Sequence, residues 1–245
     1  MLADDRAGQD AERERTMTML AAAAAVFVLM HLLIAGTPVR DAITARIGDG
    51  PYMGLFSLAS IAALAWLIIA FAQFRGQAGD PVFWTVTPAT RHPAIGLVLI
   101  AFLFMIPGLL TNGPTRVAGG GQVDKAGAIT GMTRITRHPF LWGAAIWAFA
   151  HLLVNGTLSA ILLFGSILVL GLFGPFSIDA KRMRALGDRY AAFKAQTSNI
   201  PFAAIVQGRQ TFKISEIWWR LLVALALFVV VLMFHSRLFG VNPLG

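Results

Sequence analysis

Apolar residues run along this chain in long blocks separated by short polar stretches. The blocks at 18–35, 53–73, 94–111, 139–154, 157–177 and 217–239 contain no Asp or Glu. About 20 apolar residues in a helix cross a hydrocarbon layer roughly 30 Å thick. The pattern therefore predicts six spans in an all-α, polytopic transmembrane helical bundle, folded as a single integral membrane domain over 1–245. The fourth block is short, which predicts a start one turn earlier, near Arg137, with the arginine snorkelling to the surface. Only Asn155-Gly156 separates the fourth and fifth blocks, so these two form a tight helical hairpin. No stretch reads as a strand. The first block is not a cleavable signal, because the segment before it, 1–17, is an acidic tail (Asp4, Asp5, Asp10, Glu12, Glu14), expected to be flexible, where a basic one is required.

The longest polar stretch, 178–216, is patterned too. Met183, Leu186, Tyr190 and Phe193 recur at helical spacing within Ala180–Gln196, with Lys181, Arg182, Arg184, Arg189 and Lys194 on the other face. This predicts an amphipathic helix lying at the membrane interface. The loop 112–134 carries Gly119-Gly120-Gly121 and is expected to be mobile or to form a lid. The tetrad Thr90-Arg91-His92-Pro93 is echoed by Thr136-Arg137-His138-Pro139, each just ahead of an apolar block. Proline suits the first turn of a helix, which accounts for the echo without a shared function.

Composition sharpens the class. Hydrophobic residues make up 57% and charged residues 13%, against about 45–50% and about 25% in soluble domains. The absence of cysteine excludes disulfides, thiolate metal sites, iron–sulfur clusters and covalently attached c-type haem. The net charge of +8 suits anionic lipid better than nucleic acid, because the basic residues lie between the spans. Six spans place fourteen Lys and Arg on one side and six on the other. The positive-inside bias then makes the richer side cytoplasmic and both termini periplasmic, in a bacterial inner membrane.

Candidate chemistry is sparse. All 12 Asp and Glu fall outside the six blocks or at their ends, which counts against a proton-relay transporter and against carboxylate acid–base catalysis. Histidine remains: His31, His92, His138, His151 and His235. Imidazole is the natural axial ligand of haem iron. His31 lies about 6 Å inside the end of the first span, and His138 opens the fourth from the same side. His151 lies about 20 Å further along that span. A haem between the first and fourth spans would take His31 and His138 as ligands. Arg40, Arg134 and Arg137 near the same surface would pair with its propionates. Equally, these histidines can cap helices or bond neighbouring carbonyls, and His151 and Asn155 can be plain inter-helix hydrogen bonders. The six tryptophans read as packing or interfacial belt, and Gly165, Gly171 and Gly174 as close-packing positions.

Two motifs extend this reading. Thr136-Arg137-His138-Pro139-Phe140-Leu141-Trp142-Gly143, with Trp147-Ala148-Phe149-Ala150-His151-Leu152-Leu153-Val154-Asn155-Gly156, resembles the core signature of the NnrU family. His31-Leu32-Leu33, Arg40 and Tyr52-Met53-Gly54-Leu55-Phe56-Ser57 resemble that family's N-terminal half. The resemblance covers roughly residues 20–200 and leaves the last span, 217–245, as an extension of an 18–216 core. The family includes bacterial membrane proteins associated with denitrification and the 15-cis-ζ-carotene isomerase, which uses haem b. The resemblance implies haem b on His31 and His138 as the catalytic pair. It makes His151 a further family histidine, with Arg40, Arg134, Arg137, His151 and Asn155 around the cofactor. It also implies a hydrophobic polyene or a small gaseous ligand such as nitric oxide. A bis-histidine iron has no open position, so one ligand must leave, and His138, at a helix start, is the expected one. A haem-dependent sensor or assembly factor without turnover is the alternative.

A second likeness runs through Arg137-His138-Pro139, Leu186-Gly187-Asp188-Arg189-Tyr190 and Ile200-Pro201-Phe202. It is similar to membrane methyltransferases that act on isoprenylcysteine or phospholipids and bind S-adenosylmethionine. The acidic pair of that group is missing, since Asp179 stands alone before Lys181-Arg182. Shared membrane architecture is the preferred explanation.

Overall fold

The computed structural model describes residues 2–77, 79–115, 123 and 127–245, with side chains from residue 7 onward. Arg116, Lys125 and the Gly119-Gly120-Gly121 run of the expected lid lie outside the described residues.

The elements follow the apolar blocks closely. Helix α1 (Leu2–Leu29) passes into a π-helical turn at Met30–Ile34, then α2 (Pro38–Ile47) and α3 (Asp49–Phe74) follow. Next come strand β1 (Val82–Trp84), α4 (Pro88–Leu110), the single turn α5 (Met132–Ile135) and α6 (Pro139–Val154). Strand β2 (Gly156–Thr157), α7 (Leu158–Leu186), α8 (Asp188–Gln196), the turn α9 (Ala203–Val206) and α10 (Trp218–Phe239) complete the chain. Helices α1, α3, α4, α7 and α10 are long and apolar enough to cross a membrane; α6, with 16 residues, is the shorter sixth. The protein is a helical membrane bundle.

The six helices pack in the spatial order α3, α1, α7, α6, α4, α10. Inner faces interlock through Leu20, Ala23, Phe27, Leu67, Phe74, Ala148 and Leu163, all buried. The outer faces of α3 and α10 expose Leu58, Ile61, Ile69, Val230 and Met233, as a lipid-facing surface requires. Small residues set the closest approach. A Cβ on Gly171 would stand 2.7 Å from Cβ of Ala145, so glycine lets α7 lie against α6. Gly165 points at nothing within 4 Å and is not a packing glycine.

Several expectations need correction. A strand pair exists: β1 pairs antiparallel with β2 across the α6–α7 turn. It clasps the end of the bundle that holds both termini, where Trp84 Nε1 donates to the Leu152 carbonyl at 2.8 Å. Buried Asp80 accepts from the Ser159 backbone N–H and hydroxyl there, satisfying the start of α7. The 1–17 segment is helical from Leu2 and continuous with the first span, and Thr16 donates to Gln77. The two Arg-His-Pro tetrads are not structural equivalents. Thr90–Pro93 lie inside α4, whose capping box is made by Thr87 and Thr90, whereas Thr136–His138 precede α6. The fifth span runs on to Leu186, and Gly187, at φ 52°, turns the chain into α8. The amphipathic segment is therefore split between the end of α7 and α8, and its Tyr190 and Phe193 are buried.

The glycine geometry gives the first prediction. Gly171→Leu forces α7 off α6 and is expected to destabilise the bundle by about 1–3 kcal/mol. Gly165→Ala is expected to leave the melting midpoint in detergent unchanged. Equal midpoints for both variants would contradict the packing described.

Candidate functional site

The end of the bundle opposite the termini is organised by one carboxylate. Asp179 sits on α7, and its side chain is 10% exposed. Three side chains donate to it. Arg137 Nε lies 3.0 Å from both oxygens, and Arg137 Nη2 also donates to Oδ2. His138 Nε2 donates to Oδ1 at 2.8 Å, and the Tyr190 hydroxyl donates to Oδ1 at 2.6 Å. The helix α7 continues past the apolar block, so Asp179, which the sequence places just beyond a span, sits on the last turns of that helix and is buried in the bundle. A buried carboxylate is tolerable only when paired and hydrogen bonded, and this one is. Arg137 is correspondingly not a snorkelling residue: α6 starts at Pro139, and Arg137 is 8% exposed. Tyr190, in α8, has its hydroxyl pKa raised by burial and by its bond to Asp179.

The segment after α8 closes over this cluster. The Arg137 backbone N–H donates to the Ser198 carbonyl, and the Phe202 N–H donates to that of Ile135. Trp142 Nε1 donates to the Asn199 carbonyl at 2.8 Å, so this tryptophan is a strut rather than part of an interfacial belt. Phe202 adopts φ 63° to make the turn, a conformation that bulky residues seldom take without surrounding constraint.

His31 lies in the π-helical turn that ends the first span. Such turns recur at functional positions because they re-aim one side chain. Its Nδ1 donates to the Phe27 carbonyl at 2.7 Å, and the rings of Phe27 and Phe56 pack edge-on against it at 4.9 and 5.5 Å. The register along α7 places the two histidines. Gly36 touches Ser177, and Arg184 donates to the Gly36 carbonyl, so the end of α1 meets the same stretch of α7 that holds His138. His31 is five residues before Gly36, and Asp179 is two residues beyond Ser177. His31 and His138 therefore share one end of the bundle, with His31 the further of the two from that end along the chain path.

The other expected residues are dispersed. His151 donates from Nδ1 to the Trp147 carbonyl at 2.8 Å and stacks on Phe164 at 4.8 Å. That is 15 residues, about 22 Å, along α7 from Asp179. Asn155 donates to the His151 carbonyl. Arg134 is engaged by Glu216 at 2.9 Å and by Gln210, and the guanidinium holds the Glu216 carboxyl below its ordinary pKa. Arg40 pairs with Asp49 at 2.7 Å and with Asp41, and lies over the Tyr52 ring.

Each of the two rings is left with one nitrogen able to take a metal. Phe27 O and the Asp179 carboxylate can only accept, so the bound nitrogen of each ring carries the proton. His31 keeps a lone pair on Nε2. His138 keeps one on Nδ1, which makes no hydrogen bond among the described residues. A histidine whose second nitrogen is held by a carboxylate or carbonyl is the common arrangement at metal ligands. No group of three or more His, Asp or Glu that could hold a bare metal ion occurs among the described residues, and haem iron takes only one or two protein ligands.

Comparison with known proteins then decides the family. The NnrU protein family model matches residues 19–243. The chain belongs to the NnrU family. The match includes α10, which the motifs alone left outside the resemblance. Two similar proteins are both named 15-cis-zeta-carotene isomerase, chloroplastic. The one from Arabidopsis thaliana is 30% identical over 187 residues, 76% of this chain and 49% of its own length. The one from Zea mays is 29% identical over 187 residues, 76% of this chain and 50% of its own. The chain thus spans about half the length of the curated relatives it matches. No solved structure matches.

Sequence reasoning missed Asp179 and Tyr190. The available signal was a lone acid just past an apolar block, and one of only two tyrosines in the chain. Removing one partner of a buried ion pair leaves the other uncompensated. Asp179→Asn is therefore expected to destabilise the protein by about 3–5 kcal/mol, and Tyr190→Phe by about 1.5–3. Unfolding in mixed micelles would show it. An Asp179→Asn variant as stable as wild type would mean the network holds nothing together.

Proposed function

We propose that this NnrU protein binds haem b and acts as a cis–trans isomerase of a hydrophobic polyene. The observation that carries the reading is the setting of His31. It combines a free Nε2, a ring fixed by the Phe27 carbonyl and a π-turn at the end of an apolar groove. That groove, about 370 Å³, runs between α1 and α7 and is lined by Ala21, Ala24, Ala25, Val28, Ile161 and Gly165 among others. Its α1 wall ends at Leu29, two residues before His31. A groove with no charged lining suits a long hydrocarbon, and the names of the two plant relatives supply the polyene class.

His31, through Nε2, and His138, through Nδ1, would hold the iron. When bound, haem supplies an electron-accepting metal centre against which a double bond can lose its double-bond character and rotate. The chain supplies the rest. Asp179 fixes the His138 tautomer and ring plane. This makes His138 the anchored ligand and His31, held by one backbone carbonyl, the more adjustable one. That reverses the sequence-based assignment of the leaving ligand. The α1–α7 groove excludes water and aligns the hydrocarbon. Arg134, Arg137 and Arg40 are all paired with carboxylates, Glu216, Asp179 and Asp41 with Asp49 respectively, so a propionate would have to share one of these cations. His151 and Asn155 brace the far end of α6.

The test is an absorption spectrum and pyridine haemochrome assay of the purified protein, with His31→Ala beside it. The reading predicts low-spin haem b near one per chain and loss of most of it in His31→Ala. A colourless wild type from haem-replete cells would overturn it. Full haem in His31→Ala would remove His31 as a ligand.

A further inference from the structure

The segment that covers the Asp179 network has an outward edge that its place in the chain does not explain. It belongs to the polar stretch between α8 and α10, outside all six spans, yet Ile200 is 64%, Phe202 45% and Val206 85% exposed. Tyr190 and Phe193, the apolar side chains expected to meet the membrane surface from this stretch, turn inward instead and are buried. Large apolar side chains gathered on one exposed edge mark contact with a membrane or a partner.

Packing sets the height of this edge. The Phe202 ring meets the Phe104 ring of α4 edge-on, with centroids 6.4 Å apart. Phe104 stands six residues before the end of α4 at Leu110. Ile205, with Leu221 of α10, packs against Met132, Ile135 and Ile217. Arg220 Nε donates to the Leu110 carbonyl at 3.2 Å, so α4 ends where α10 begins. The segment therefore lies alongside the last turns of two spans rather than beyond them. On those turns Leu109, Trp218 and Leu222 are themselves exposed, so the spans already present apolar side chains to lipid at this height.

The backbone of the segment is self-sufficient. Every N–H from Phe202 to Gln210 donates within the protein. Phe202 donates to the Ile135 carbonyl, Ala204 to the Ser198 hydroxyl, and the others to carbonyls between Ile200 and Ile205. Arg209 then folds back, its Nη1 donating to the Ala195 and Thr197 carbonyls that end α8. Irregular backbone is tolerated at membrane depth only where its polar groups are satisfied in this way. A loop that stands in water has no such requirement.

We propose that residues 200–206 form a re-entrant membrane anchor, with Ile200, Phe202 and Val206 seated in the acyl-chain boundary of the bilayer at the end opposite the termini. The occupant of the exposed edge is lipid hydrocarbon, continuous with the lipid around α4 and α10. Because the same segment bonds the Ile135 carbonyl and the Arg137 N–H, the bilayer holds the cover over the Asp179 network in place. The inference rests on packing, exposure and backbone bonding, and stands if the isomerase reading fails.

The experiment uses the full chain, which has no cysteine of its own, in lipid nanodiscs. Val206→Cys, Val230→Cys and Asp188→Cys are each labelled with a small fluorophore. Emission is compared between ordinary lipids and lipids brominated near the headgroup end of their acyl chains, where bromine quenches only what it touches. Val230, exposed on α10, is the lipid-facing reference, and Asp188, exposed at the bend into α8, is the aqueous one. The expected result is a loss of emission for the Val206→Cys label at least as large as for Val230→Cys, with none for Asp188→Cys. A Val206→Cys label that keeps its emission as Asp188→Cys does would overturn the anchor, whether water, a second copy or another part of the chain then covers the edge. Equal quenching at Asp188→Cys would overturn it as well, since contact with lipid would not single out this segment.

Discussion

A carboxylate buried at the end of a membrane helix must be neutralised and hydrogen bonded where it stands. Asp179 meets that requirement with three donors drawn from two regions, Arg137 and His138 at the entry to α6 and Tyr190 in α8. Much of the geometry at this end follows. The fifth span has to overshoot its apolar block to carry Asp179. Gly187 has to turn the chain so that Tyr190 comes back toward it. The 197–202 segment then covers the donors through backbone bonds to Ile135 and Arg137. Arg137 already balances the carboxylate charge, so His138 serves best as a neutral donor, with its second nitrogen left for other use.

The hydrophobic pattern made the spans legible because lipid imposes a blunt rule, about 20 apolar residues per helix. The boundaries of α6 and α10 lie within a residue of the blocks, and α7 gained a third of its length from residues that look interfacial. The site was legible only in part. His31 and His138 stood out because few other groups can do chemistry in this chain. Asp179 did not, because its Arg137 and His138 partners lie 42 and 41 residues away along the chain and Tyr190 lies beyond a helix break, so no local periodicity encodes those contacts. The π-turn at Met30–Ile34 leaves no mark in the sequence, since it replaces one helical hydrogen-bond register with another inside an apolar run. The β1–β2 clasp was missed because strands of three and two residues fall below any pattern length.

Taken together, the two ends divide the work. The end holding the termini is a mechanical clasp of β1, β2, Asp80 and Trp84. The opposite end gathers the polar chemistry: the Asp179 network, His31 beside the aromatic rings of Phe27 and Phe56, and Arg40, paired with Asp41 and Asp49 over the Tyr52 ring. Between them runs the apolar α1–α7 groove. Membership of the NnrU family and likeness to plant proteins named as carotene isomerases give that arrangement a direction. The arrangement of His31, held by a single carbonyl, and His138, held by a carboxylate, gives it an asymmetry that the residues alone did not suggest.

The bond from His138 to Asp179 fixes the imidazole as the Nε2-protonated tautomer. The most direct measurement is the imidazole nitrogen NMR spectrum of histidine-labelled protein in micelles, with the His138 signals assigned by their loss in a His138 variant. The expected spectrum shows a protonated Nε2 and an unprotonated Nδ1 for His138, with Nε2 moving strongly in Asp179→Asn. A proton on Nδ1 with Nε2 bare, or signals indifferent to Asp179→Asn, would contradict it.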